Sequence, residues 1–215
     1  DHALLYTLTD AETKGHLCLE KHDFLKECLK LLNTRGMTQD MLADRAVKLI
    51  QEDKLITYDG SVFNSRTARV EESLAYEIIK KVHGSVPDYP YLDEAISEEE
   101  RKLRFRLAPE QREAVKMGLT SKFCVITGGP GTGKTSVQRA LLDLYRMKYP
   151  AAKIACCAPT GKAARRMEQS TGVPSTTVHR ALGLIANEDG HYGDPETLEA
   201  DLVLLDEVSM LDVYR

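Results

Sequence analysis

Three side chains stand out for the chemistry their types and spacing allow: Lys134, Asp206 and Glu207. Lys134 lies in the run Gly128-Gly129-Pro130-Gly131-Thr132-Gly133-Lys134-Thr135, which fits the pattern G-x-x-x-x-G-K-[ST] in full. Glycines let a backbone turn tightly and leave no Cβ to hold an anion away. Successive N–H groups can then cradle phosphates, with the positive end of the following helix behind them. Lys134 adds a point charge for the outer phosphates, and the Thr135 hydroxyl is a hard oxygen ligand suited to Mg²⁺. The segment Gly129, Pro130, Gly131, Thr132, Gly133, Lys134, Thr135 and Ser136 is therefore expected to hold a nucleoside triphosphate.

Asp206 and Glu207 follow the apolar run Leu202-Val203-Leu204-Leu205. An isolated Asp-Glu pair carries no information. A pair ending a buried strand some seventy residues after a phosphate loop does, because ligands of open α/β sheets bind beyond the carboxyl ends of the strands. The two carboxylates suit separate tasks. Asp206 would hold Mg²⁺, and Glu207 would orient an attacking water or accept its proton.

The elements that must position these groups follow from the pattern around them. Phe123 to Ile126 suit a buried strand leading into the glycine loop, and a helix is expected over 134–147. Lys153 to Ala158 read as a second strand, followed by Pro159-Thr160-Gly161-Lys162-Ala163-Ala164 opening another helix. Pro109 opens a helix over 110–117, and 92–105 is helical with a solvated, mixed-charge face. Residues 187–197, rich in acids, Gly and Pro, read as a loop. Strands alternating with helices imply an α/β fold with a parallel sheet.

Upstream, apolar spacing predicts helices over 2–14, 21–33, from Thr38 onward, and 66–82, with a short strand near 16–19. Leu55-Ile56-Thr57-Tyr58, Asp59-Gly60, Ser61-Val62-Phe63 is a hairpin signal. That order is the order of a winged-helix module. Its third helix carries Asp40, Asp44, Glu52 and Asp53 against Arg45 and Lys48, a poor complement to phosphate, so a protein-docking role for residues 1–83 is favoured over reading DNA. Gly84 to Tyr91, with two prolines, marks a linker. The expected division is 1–83, 84–91 and 92–215.

Composition narrows the class. Hydrophobic residues at 42% and charged ones at 29% describe a globular chain, and no apolar run approaches a membrane span. With no signal-peptide pattern and five cysteines that form no C-x-x-C pair, a reduced cytoplasmic setting is expected. The net charge of −4 argues against a surface coated in positive charge, but leaves room for a local basic groove. His16, Cys18 and His22 do not match a zinc spacing.

The phosphate loop, Ala158 to Ala164, Thr177-Val178-His179-Arg180-Ala181-Leu182 and Asp206-Glu207-Val208-Ser209-Met210 together resemble successive motifs of RecD-like superfamily 1 DNA helicases, the family of the exodeoxyribonuclease V alpha subunit and its stand-alone relatives. The resemblance covers about 92–215; residues 1–83 are similar to the region before the motor of stand-alone members, far less specifically. Val208 stands where alanine is common. The resemblance implies a partial RecA-like motor domain coupling ATP hydrolysis to 5′–3′ movement on single-stranded DNA. It implies that Gln111 reads adenine. Pro159, Thr160, Gly161, Lys162 and His179 would touch single-stranded DNA. Read without it, Gln111 and Lys162 are surface residues, His179 is a hydrogen-bonded core histidine, and Arg165 and Arg166 are either phosphate contacts or merely exposed.

The chain ends at Arg215, before the sensor residue, arginine fingers and second motor domain that the family implies. The sheet is accordingly expected to lack a strand between the phosphate-loop strand and 202–205, and these residues alone to hydrolyse ATP poorly. Two other readings compete: a different phosphate-loop motor, and a non-catalytic docking protein with a nucleotide switch.

Overall fold

The computed structural model describes residues 1–32, 36–184 and 194–211, which divide into two compact units, Asp1–Glu77 and Ile78–Leu211. The first holds α1 (His2–Thr13), β1 (Cys18–Glu20), α2 (Lys21–Leu32), α3 (Gln39–Gln51), β2 (Leu55–Tyr58), β3 (Ser61–Asn64) and the start of α4 (Ser65–Val82). Thr38 caps α3, its side chain accepting from the Met41 amide at 3.3 Å. Asp59 and Gly60 both take positive φ, +46° and +77°, as a two-residue hairpin twisted to match its strands requires. The antiparallel sheet runs β1-β3-β2, with Ile56 opposite Phe63. Leu4 and Leu8 of α1, Phe24 and Cys28 of α2, Leu42 and Leu49 of α3, and Leu55 and Val62 of the hairpin close one core. These elements follow in the order helix, strand, helix, helix, hairpin around a single core.

The second unit contains α5 (Leu92–Leu103), α6 (Pro109–Thr120), α7 (Lys134–Lys148), β4 (Ile154–Ala158), α8 (Gly161–Thr171), β5 (Ser175–Thr177), α9 (Val178–Ala181) and β6 (Leu202–Leu205). Its sheet is parallel throughout, in the order β5-β4-β6. Ile96, Val115, Leu119, Val137, Ala140, Leu141 and Leu144 join α5 and α6 to one side of α7. Leu142, Cys156, Met167 and Val173 join α7 and α8 to the sheet. Within residues 84–91, Tyr89 donates to the Leu144 carbonyl at 3.2 Å, and Lys148 lies over the Tyr89 ring at 4.4 Å while donating to the Asp88 carbonyl. That stretch is thus pinned to the last turns of α7.

Two sequence expectations need correction. Phe123 to Ile126 do not form a ladder strand: 123–127 carry no regular structure, and Val125 is 70% exposed. Backbone N–H and C=O groups become a strand only where a neighbour pairs with them, and among the described residues no strand lies beside this segment. Ile126 packs inward, against the cluster around α7, and Cys124 is half-buried. Conversely, β5 forms at Ser175–Thr177, where no strand was expected, because β4 supplies a partner: Cys156 pairs with Ser175 and Ala158 with Thr177. Residues 187–193 of the expected acidic loop lie outside the described residues, and 194–200 are irregular.

Cys156 and Cys157 sit on β4 at 2% and 3% exposure, and burial, then the neighbouring Cys157, pushes the Cys156 thiol up to about 11 from an ordinary 9.0. The native state therefore keeps a proton that the unfolded chain releases above pH 9. Where the unfolded state binds fewer protons, stability falls as pH rises. The Cys156 contribution is complete below pH 9 and is lost between about pH 9 and pH 11. Thermal midpoints measured across that range should fall less steeply for Cys156→Ala than for the parent; equal slopes would refute the assignment.

Candidate active site

The loop between Ile126 and α7 owes its path to its glycines. Gly131 (φ +76°) and Gly133 (φ +79°) take the left-handed conformation that side chains disfavour, and Gly133 ends the loop as the N-cap of α7. A Cβ on Gly128 would stand 2.7 Å from Thr132 Oγ1, and one on Gly133 would meet Gln111 Nε2, so neither position tolerates a side chain without rearrangement. Thr132 closes the turn by donating to the Gly129 carbonyl at 2.9 Å. Lys134, the first residue of α7, donates through Nζ to the carbonyls of Gly128 (2.6 Å) and Gly129 (2.9 Å). Its ammonium is therefore held over the loop, with Thr135 and Ser136 following in the first helical turn. Open backbone at a helix N-terminus with a cation above it is a setting that fits a chain of phosphates.

Gln111 ties this loop to α6. Its Oε1 accepts from the Ala108 amide at 2.9 Å, the reciprocal half of a capping box, and its Nε2 donates to the Thr132 carbonyl at 2.8 Å. The helix bearing Gln111 is itself stapled to α5. Arg112 reaches Glu100 at 2.7 Å and Asp93 at 3.4 Å, and Lys116 reaches Asp93 at 2.7 Å. The hydrogen bond from Lys116, and then its charge and that of Arg112, hold the Asp93 carboxyl below its usual range. This chain of contacts was not legible beforehand, since it joins residues from 93 to 132.

Asp206 follows β6, and its amide donates to the Cys157 carbonyl at 3.0 Å, which fixes it at the carboxyl end of β4. Glu207 comes next, exposed, with φ +52°; a left-handed non-glycine residue costs roughly 1–2 kcal/mol and re-aims the chain into the turn Val208–Met210. The height of Lys134 relative to this pair follows from α7. Tyr145 Oη donates to the Asp201 carbonyl at 3.4 Å, placing the last turns of α7 level with the start of β6. From Tyr145 back to Lys134, α7 rises about 16 Å. From Asp201 to Asp206 the strand also rises about 16 Å. Because α7 leads directly into β4, which is parallel to β6, the helix runs counter to both strands, and Lys134 and Asp206 share one rim.

The remaining candidates gather at the same rim. Ala158 ends β4 and leads into Pro159, Thr160, Gly161 and Lys162; Thr160 caps α8 by accepting from the Ala163 amide at 3.2 Å. Ala158 pairs with Thr177, which caps α9 and is followed by the half-buried His179. Across the rim the order is Thr177 to His179, Pro159 to Lys162, then Asp206 to Glu207.

Residues 111–215 match a family model described as an AAA domain. The chain is 32% identical over 166 residues to the "ATP-dependent RecD2 DNA helicase" of Deinococcus radiodurans, covering 76% of this chain and 22% of that protein. The chain is similar to RecD-like helicases over about three quarters of its length. The "RecBCD enzyme subunit RecD" of Haemophilus influenzae is another RecD relative, 33% identical over 168 residues, 64% of this chain and 26% of its own length. A more distant likeness reaches the "ATP-dependent DNA helicase PIF1" of Trypanosoma brucei brucei, 33% identical over 105 residues, 49% of this chain and 10% of that protein. The chain thus spans about a quarter of the length of these two RecD relatives. A nucleotide-binding motor is what that family implies, and among the described residues no helix is long and apolar enough to cross a membrane.

Proposed function

We propose that this chain is the first part of an ATP-dependent DNA helicase, which in its full-length protein couples ATP hydrolysis to 5′–3′ translocation on single-stranded DNA and to duplex unwinding. What supports this reading is the shared rim: the Pro159–Lys162 loop and the Asp206-Glu207 pair follow β4 and β6, and the length of α7 brings the lysine-bearing loop level with them. Nucleotide and strand would thus meet on one edge of one sheet.

In the proposed mechanism the loop N–H groups of Gly129 and of Gly131 to Gly133 receive the phosphates, Pro130 having none. Lys134 leaves the Gly128 and Gly129 carbonyls to pair with the terminal phosphate, exchanging two neutral acceptors for an anionic one. Thr135 and Asp206 are the residues that would hold Mg²⁺, which when bound offsets phosphate charge. Glu207 accepts the proton of the attacking water as the water oxygen bonds the γ-phosphorus and the bridging bond to ADP breaks. Gln111 can present its amide to adenine only by giving up Thr132 or Ala108, which would link base recognition to loop position. Residues 1–83 are proposed as a protein-docking module. A cytoplasmic setting accords with five free thiols.

The test is ATPase activity of the full-length protein with and without a single-stranded oligonucleotide. Hydrolysis stimulated at least tenfold by DNA is expected. Robust hydrolysis indifferent to DNA would exclude the helicase reading in favour of another ATPase, and absence of hydrolysis in both conditions would leave a nucleotide switch.

A further inference from the structure

We infer that Arg165 and Arg166 of α8 form a second row of contacts to the phosphodiester backbone of single-stranded DNA, extending the strand path beyond the Pro159–Lys162 loop. This inference rests on the helicase reading of that loop. It begins from helical spacing. Lys162, Arg165, Arg166 and Gln169 stand at i, i+3, i+4 and i+7, so they share one face of α8. The opposite face, Ala163, Ala164, Met167 and Thr171, is buried and clamps the helix to the unit. α8 cannot roll its basic face away, because that would bring Met167 and Thr171 into water.

The second observation is charge. Lys162, Arg165 and Arg166 are all exposed, and none of the three takes part in an ion pair among the described residues. Several cations elsewhere in the same unit are paired, Arg112 with Glu100, Lys116 with Asp93, Lys153 with Glu199 and Arg101 with Glu98. In a chain of net charge −4, three like charges left together on one rigid face repel one another, at a cost that an anionic ligand removes. Gly161, Lys162, Arg165, Arg166 and Gln169 together line one shallow, open surface along α8.

The third is position and pitch. Thr160 starts α8 at the carboxyl end of β4, so the stripe begins at the shared rim. From Lys162 to Gln169 the helix rises about 10 Å, room for two or three backbone phosphates but with no aromatic side chain to read bases. The stripe therefore binds backbone charge and is indifferent to sequence, as a translocating motor needs.

The test uses the full-length protein and a fluorescent oligothymidylate, with affinity followed by anisotropy as salt is raised. Each single-strand phosphate contact contributes about 0.7 to the slope of log K against log salt. Arg165→Gln/Arg166→Gln should lower the magnitude of that slope by about 1.4, and Arg165→Lys/Arg166→Lys should restore most of it, since a point charge suffices. An unchanged slope in the Gln variant, with the parent binding normally, would overturn the inference and assign the stripe to another partner such as an acidic protein surface. A parent that does not bind the oligonucleotide would instead overturn the helicase reading on which the inference rests.

Discussion

Replacing Lys134 with alanine in the full-length protein is expected to reduce ATP hydrolysis by at least 10²–10³-fold, with nucleotide affinity falling as well. The ammonium already sits over the glycine loop, bonded to the Gly128 and Gly129 carbonyls. A preorganised charge at a developing anionic centre contributes on the order of 10²–10³ in rate. Its removal also takes a cation from ground-state binding, so KM for ATP rises while kcat falls. Glu207→Gln should behave differently. The amide keeps the size of the side chain but cannot accept the water proton, so turnover falls by about 10²–10⁴ while ATP still binds. Equilibrium binding of a fluorescent ATP analogue alongside steady-state hydrolysis separates the two. If Lys134→Ala turned over ATP like the parent, the loop would not be a catalytic phosphate site, and the motor reading would go with it.

The sequence carried the local parts of this site well and the long-range parts poorly, for a physical reason. Gly131 and Gly133 were legible because positive φ belongs to glycine, and Thr38 because a hydroxyl before a helix satisfies an orphan amide. The Asp59-Gly60 hairpin was legible on the same grounds. Phe123 to Ile126 misled because apolar β-branched composition reports a willingness to be a strand, whereas a strand exists only with a neighbour. β5 is the opposite case. Ser175-Thr176-Thr177 has no apolar pattern, and its ladder is imposed by β4. Gln111 shows the limit most clearly. The family motif marks it as an adenine reader, yet its bond to Thr132 depends on α6 lying beside a loop 21 residues away. Propensity acts over a few residues, and such contacts are decided by packing.

Packing is also where the second large effect is expected. Leu142 is fully buried on α7 among Cys156 of β4, Met167 of α8 and Val173. Leu142→Ala leaves a cavity at the junction of all three elements and should destabilise this unit by about 2–5 kcal/mol, against a total of about 5–15 kcal/mol for a typical domain. The consequence for function follows from the same helix. α7 is held by Leu142 near its middle, by Tyr145 to Asp201 near its end, and carries Lys134 at its start. Loosening the middle lets the helix shift against the sheet, so Lys134 and Asp206 no longer keep a fixed separation. Leu142→Ala should therefore lower the urea midpoint of the full-length protein's transition for this unit, and at temperatures where it stays folded should raise KM for ATP. Leu142→Met, which conserves volume, should cost less than about 1.5 kcal/mol and leave KM unchanged. A Leu142→Ala protein with parental stability would mean that α7 is not anchored through this cluster. One with lowered stability but parental KM would mean that the lysine-bearing loop keeps its place independently of the helix behind it.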